Sequence, residues 1–381
     1  MGRIIFIFVV FVLVLSFTTG YMFDNWGLDP IDLLDSHINK THKDNSNGNI
    51  PSNNENMEKE GPNQFRQEDN EETVILSFAG DVLLVRGVAA LIEQKGADFI
   101  LSGVKPVFDR SDISMVNLEC PVSEKGTKAK DKQYTFRAKP KSLEVLTSCG
   151  IDMVTLANNH ILDFGREALL DTLQNLKERN IKYVGAGVNM DEASKPVFID
   201  KKGLKIAFIA SSRIIPDASW TAGKNSPGVA TTYNPERILA EIKSAKEQAD
   251  IVAVYVHWGE ELKEQPLNYQ KSLARAYVDK GADIVIGSHP HVLQGLEFYK
   301  GKIIAYSLGN FVFTNIKRDT MILSIGVNKK GIKDIQVLPC RIENLRPVVL
   351  NDKSQSYKLL QKIESLSFNI EIDKKGNVKP G

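Results

Sequence analysis

From Thr73 onward, short apolar runs alternate with amphipathic stretches, the rhythm expected where buried strands and helices take turns along a chain. Val-Ile-Leu-Ser-Phe, following Thr73 and bounded by Gly80, opens the series. Further strand-like runs are Ile113 to Leu118, Met153 to Leu156, Leu204 to Ile209, Ile251 to His257, Ile284 to Ile286, Ile303 to Ser307 and Met321 to Val327. Between them, Arg166 to Glu178, Pro235 to Gln248 and Pro266 to Lys280 carry helical periodicity, two of them with Pro in the first turn. Such alternation predicts parallel strands with helices on the sheet faces, hence an α/β layered domain. Beyond about residue 321 strands dominate, and Ser356 to Ser365 predicts one more helix. The chain has no internal repeat.

The first 73 residues follow a different pattern. Ile4 to Phe23 is a run of 20 residues without a charge, preceded by Arg3. As a helix it would be roughly 30 Å long, about the thickness of a bilayer core. Residues 1–23 are therefore expected to be a transmembrane anchor. The lone basic residue ahead of it predicts that everything after Phe23 is exported. Thr18-Thr19-Gly20 also offers a small-residue cleavage site, which leaves a removed signal peptide open; the length of the apolar run favours the uncleaved anchor. Residues 24–73 are rich in Asn, Glu, Lys, Gln and Pro toward their end and nearly free of large apolar side chains there, the composition of a disordered tether. What remains is a domain over 74–345 with a C-terminal extension over 346–381.

Composition agrees with a chain that buries a real core, with 42% hydrophobic and 25% charged residues. Lys and Arg number 48 against 47 Asp and Glu, so a net charge of +1 provides no global field for capturing nucleic acid. Cys120, Cys149 and Cys340 are too few and scattered for a disulfide framework; buried thiols are the plain expectation, with one pair left open.

Histidine placement carries the chemistry. Of six histidines, His37 and His42 lie in the tether, and the other four fall at the ends of strand-like runs. In an α/β sheet, functional groups gather at the carboxyl ends of the strands. Here those ends deliver Asp81, then Glu119, then Asn159 with His160 and Asp163, then His257, then His289 and His291. Two carboxylates (Asp81, Glu119), one amide oxygen (Asn159) and three imidazoles (His257, His289, His291) suit a borderline divalent ion such as Mn, Fe or Zn. The set is large enough for one or two ions. His160 and Asp163, three apart, form a separable pair in which the carboxylate is expected to hold the imidazole protonated as a general acid. Pro290 is expected to restrict the backbone so that its two flanking imidazoles diverge.

Taken in order, Ala79-Gly80-Asp81, Asn117-Leu118-Glu119, Ala157-Asn158-Asn159-His160 with Asp163 and Gly165, Val256-His257-Trp258-Gly259, Gly287-Ser288-His289-Pro290-His291 and Ser307-Leu308-Gly309-Asn310-Phe311 resemble the CapA family. These are poly-γ-glutamate capsule biosynthesis proteins, also called PgsA, related to calcineurin-like metallophosphoesterases. The likeness spans about residues 74 to 315. It implies a four-layer α/β/β/α metallophosphatase-like sandwich. By the same resemblance Asp81 would serve one metal, Glu119 would bridge, Asn159 would ligate through its amide, and His160 would be the catalytic imidazole. His257 and His289 would complete one metal site and His291 the other. Where such phosphoesterases carry a histidine two residues past the first Asp, this chain has Leu83, so one site would have a ligand fewer.

Seven Lys or Arg and one Asp lie between Lys125 and Lys141. Lys128, Lys130, Lys132 and Arg137 are thus expected to bind an anionic polymer such as poly-γ-glutamate near the metal site. The resemblance implies a membrane-anchored, extracytoplasmic component of capsule polymer synthesis and export, partnered by other subunits of that system. The alternative is a metal-dependent phosphoesterase, polymer hydrolase or transferase acting outside the membrane.

Overall fold

A computed structural model describes residues 72–314 and 318–381. The expected anchor, and the expected tether up to residue 71, lie outside the described residues. The strands are β1 (Val74–Val82), β2 (Ile113–Leu118), β3 (Met153–Thr155), β4 (Lys182–Val184), β5 (Ala186–Gly187), β6 (Val197–Lys201), β7 (Leu204–Ser212), β8 (Gly228–Val229), β9 (Ile251–His257), β10 (Ile284–Ser288), β11 (Leu296–Tyr299), β12 (Lys302–Ala305), β13 (Asn310–Val312), β14 (Asp319–Asn328), β15 (Gly331–Glu343), β16 (Arg346–Val349), β17 (Ile370–Ile372) and β18 (Val378–Pro380). The helices are α1 (Gly87–Lys95), α2 (Asp98–Leu101), α3 (Lys105–Phe108), α4 (Glu144–Ser148), α5 (Gly165–Glu178), α6 (Met190–Ser194), α7 (Glu236–Lys246), α8 (Asn268–Asp279) and α9 (Lys353–Leu366).

Most strands belong to two sheets. The first runs β16-β15-β14-β1-β2-β3-β4, with β13 beside the end of β1; the second runs β11-β12-β10-β9-β7-β6. Within the first, β1, β2, β3 and β4 are mutually parallel, β14 runs antiparallel to β1, and β15 runs antiparallel to β14. In the second, β7, β9, β10 and β12 are parallel. Side-chain alternation then assigns the faces. Ile113 and Met115 of β2, with Met321, Leu323 and Ile325 of β14, share a core with Ile206 and Phe208 of β7 and Ala253 and Tyr255 of β9. The two sheets therefore pack face to face. On the outer side of the first, Val116 and Leu118 of β2 meet Ile100 and Leu101 of α2, Phe108 of α3 and Leu169 and Leu173 of α5. Ile238, Leu239 and Ile242 of α7 and Leu273 and Tyr277 of α8 are buried in the helices that accompany the second sheet. Burial on both faces explains why these strands read as continuous apolar runs.

The α/β reading holds, with local differences. α1 to α3 were not expected from the pattern: Gly96, Ser102 and Gly103 interrupt the apolar spacing, and α1 buries only Val88. Residues after 345 belong to the same compact unit as the domain before them. β16 pairs with β15, and Leu359, Leu360 and Ile363 of α9 enter the core between the sheets. Each such side chain contributes about 1.5–3 kcal/mol by removal from water. Beneath the strand ends, the Tyr255 hydroxyl donates to the Ala79 carbonyl at 2.9 Å, tying the second sheet to β1 of the first.

Candidate metal centre

The carboxyl ends of β1, β2, β3, β9 and β10 converge because both sheets place their parallel strands side by side. Close approach there depends on glycine. A Cβ on Gly80 would lie 1.8 Å from the Gly309 carbonyl oxygen, and one on Gly287 would lie 2.1 Å from the Tyr306 oxygen. The turn between β12 and β13 thus passes directly under β1 and β10. At Gly80 the β1 to β2 register shifts, and the Asp81 N–H donates to the Gly309 carbonyl at 3.0 Å, which sets the Asp81 side chain into the site.

Two groupings of atoms face each other. Around His257 Nε2 lie Asn159 Oδ1 at 3.0 Å, His289 Nδ1 at 3.2 Å and Glu119 Oε1 at 3.7 Å. Around Asp81 Oδ2 lie His291 Nδ1 at 3.5 Å and the His289 N–H at 3.4 Å. Ligand atoms of Glu119, His289 and His291 all fall within 4.8 Å of one another, close enough to share one ion. His289 and His291 have φ of 98° and 58°, a left-handed backbone that costs about 1–3 kcal/mol per non-glycine residue. Their rings diverge around Pro290, with centroids 5.8 Å apart and planes 48° apart.

Electrostatics single out Glu119. It is fully buried, and neither carboxylate oxygen has a hydrogen-bond partner. A buried polar group left unpaired is costly, and a charge more so. Burial, and next the Asp81 charge, push its carboxyl well above the ordinary carboxylate range. Burial and the neighbouring imidazoles hold His257 well below the usual histidine range, and burial with His291 takes His289 down to about 3. His291 moves the other way: burial lowers it, but Glu119 and Asp81 outweigh burial and raise it to about 9. A divalent cation would take the place of the proton on His291 in balancing the two carboxylates, since neutral imidazoles and carboxylates are the forms that ligate it.

His160 and Asp163 lie at the edge of this cluster. Asp163 Oδ2 is 2.8 Å from His160 Nδ1 and also accepts from the Phe136 N–H at 2.7 Å. Lys132 reaches in from the basic loop to Asp163 Oδ1, with its Nζ 3.0 Å from His160 Nδ1. Burial, despite the Asp163 hydrogen bond and with help from Lys132, holds His160 below the usual histidine range. The neutral imidazole is thus favoured, not the protonated one that the spacing alone led us to expect. Lys132 turns inward to Asp163, and Arg137 donates to the Lys125 and Gly126 carbonyls and lies over Phe164. Lys128 and Lys130 remain exposed.

The family described as bacterial capsule synthesis protein PGA_cap matches residues 75–315. This chain belongs to that family. A PGA biosynthesis protein CapA of Bacillus subtilis (strain 168) is 36% identical over 296 residues, covering 76% of this chain and 77% of that protein. A capsule biosynthesis protein CapA of Bacillus anthracis is 34% identical over 304 residues, covering 76% and 74%. A Mycobacterium tuberculosis protein named as a probable polyglutamine synthesis accessory protein is 28% identical over 257 residues, covering 62% and 67%. Among solved structures, a novel phosphatase of Mycoplasma pneumoniae aligns with TM-score 0.46 at 14% identity, over 71% of this chain and 94% of that one, too distant to bear on chemistry.

Within this PGA_cap domain the structure adds orienting residues that sequence reading passed over. Asn117 donates to Asp81 Oδ1 at 2.8 Å, and Asn158 donates to Asn117 Oδ1 at 3.0 Å. Asn158 Oδ1 in turn accepts from the His160 and Ile161 N–H groups, both at 3.0 Å, fixing the loop that carries His160. Ser288 Oγ lies 3.0 Å from His257 Nδ1, and Asn310 Oδ1 2.8 Å from His291 Nδ1. Partners of this kind fix the tautomer and direction of a ligating ring. Asn310 is therefore a contact of the cluster. Leu83, where a histidine was looked for, is buried in the apolar core.

Proposed function

We propose that this chain is a membrane-anchored, extracytoplasmic component of poly-γ-glutamate capsule synthesis and export, with a metallophosphatase-like site at its strand ends that holds a divalent metal. Membership of the capsule synthesis family supports the pathway. The relatives' names support a place beside other synthesis subunits and an anionic polymer. Among the described residues no helix is long and apolar enough to cross a membrane, so the anchor is assigned to residues 1–23 from sequence alone.

One observation carries the metal assignment. Glu119 is buried with both oxygens unpaired, facing His257, His289 and His291. A carboxylate in that position has no role in packing, whereas a cation would satisfy it. Asp81, Glu119, Asn159, His257, His289 and His291 would hold one or two ions of the Mn, Fe or Zn type, which supply Lewis acidity toward an oxyanion when bound. Asn117, Ser288 and Asn310 orient those groups.

His160 and Asp163 favour a second reading, a metal-dependent phosphoesterase or polymer hydrolase. A neutral imidazole at the rim, fixed by Asp163 and Asn158, accepts a proton more readily than it donates one. Metal analysis of the purified full chain, with His160→Ala and His291→Ala scored for polymer production and for phosphoester turnover, separates the two. Polymer export that survives with no bound metal would overturn the metal assignment. Turnover lost in His160→Ala with metal retained would favour the enzyme.

A further inference from the structure

Arg86 is the one arginine near the candidate centre whose guanidinium has no oxygen partner among the described residues. Arg137 grips the Lys125 and Gly126 carbonyls, Arg166 the Pro227 and Ser219 carbonyls, and Arg318 the His291 carbonyl. These act as struts. Arg86 instead lies over aromatic rings, 4.9 Å from the Phe136 centroid and 5.8 Å from that of Tyr134, which is 52% exposed. Phe136 packs against His160 with centroids 4.6 Å apart, so a single ring separates the guanidinium from the imidazole.

The backbone supports the placement. Leu83, Leu84 and Val85 are buried, and the chain then emerges at Arg86 with φ 54° and ψ −126°. That conformation is scarcely populated by residues other than glycine and persists only where the surroundings over-determine it. A side chain of arginine has no local reason to sit there, since Arg86 makes no side-chain cap to α1. Arg86 thus presents an exposed, planar guanidinium one aromatic ring away from His160. The neighbouring cation, Lys132, is already neutralised by Asp163.

We infer that Arg86 is a ligand-binding residue that grips an oxyanion, carboxylate or phosphoryl, of a molecule whose other end reaches the strand-end cluster. A guanidinium fork matches either group through two parallel hydrogen bonds, and the aromatic pair holds it in position before the ligand arrives. This rests on reading the cluster as a ligand site.

The test uses the full chain in detergent, with inorganic phosphate and a triglutamate peptide as probes, titrated by calorimetry against the parent, Arg86→Lys and Arg86→Gly. Arg86→Gly is expected to weaken binding of at least one probe by roughly tenfold or more, and Arg86→Lys to recover only part of it. Because glycine adopts the Arg86 backbone freely, the same variant is expected to unfold about 2–4 °C higher with metal content unchanged. Loss confined to phosphate identifies a phosphoryl ligand, and loss confined to triglutamate a carboxylate one. Binding of both probes at the parent's affinity in Arg86→Gly, or of neither probe by the parent, overturns the inference. Arg86-dependent binding in a parent that retains no metal would uphold it while removing the metal assignment.

Discussion

Glu119→Met tests the physical core of the account by exchanging a carboxylate for an apolar side chain of similar length. Glu119 buries both oxygens without a protein partner and faces Asp81. Removing such a group relieves about 1–3 kcal/mol, the penalty of a buried polar atom left unpaired. In a domain of this size that corresponds to a rise of roughly 2–12 °C in the unfolding midpoint. With metal present the order reverses. At a hundredfold excess over its dissociation constant, an ion bound only by the folded state stabilises the parent by about 2.7 kcal/mol. The variant, lacking one carboxylate of the cluster, is expected to lose most of that gain. Thermal unfolding followed by circular dichroism, after chelation and then with added Mn or Zn, measures both effects. A variant that is less stable than the parent after chelation, yet gains as much from metal, would refute the reasoning, because Glu119 would then be a packing residue.

Three further outcomes follow from particular contacts. Gly80→Ala is expected to cost about 3 kcal/mol or more in denaturant unfolding, since its Cβ would sit 1.8 Å from a backbone oxygen that cannot swing away; a loss under 1 kcal/mol would show that β1 and the turn before β13 can part. Cys120, Cys149 and Cys340 are free and buried, with thiols pushed up by burial to about 12, so the reactive thiolate is scarce at pH 8. Iodoacetamide is expected to leave the folded protein unmodified at pH 8 and to label all three after denaturation, with reactivity rising only as pH approaches the shifted value. Neutralising the exposed Lys128 and Lys130 together is expected to weaken polyglutamate binding severalfold at low salt and little at high salt, as for screened surface charges; equal affinity at low salt would remove the basic loop from polymer recognition.

Much of the fold was legible because strands buried on both faces announce themselves as apolar runs. β2 and β9 begin and end where their runs do. The short helices α1 to α3 were not, because glycines at 96 and 103 break the period and tertiary packing alone folds the segment. The site residues were found by their position after strands, but their orientation was not. Asn117 sits inside Ile-Ser-Met-Val-Asn-Leu, where a polar residue in an otherwise apolar strand was the available signal for its contact with Asp81. Lys132 looked like one charge among seven; that it turns inward depends on Asp163, 31 residues further along the chain, and the protonation of His160 follows chiefly from its burial, with Lys132 adding to it. Spacing reports which groups meet, whereas protonation depends on burial and on every charge that arrives from elsewhere.

The most direct measurement is crystallographic: the full chain crystallised with Mn and examined for anomalous scattering at the strand ends. A peak is expected about 2.0–2.3 Å from an oxygen of Glu119 and from the His289 and His291 rings, or between those groups and Asp81, Asn159 and His257. Ordered water or an empty space between Glu119 and His289, with Mn bound elsewhere or not at all, would contradict a metal centre in this protein.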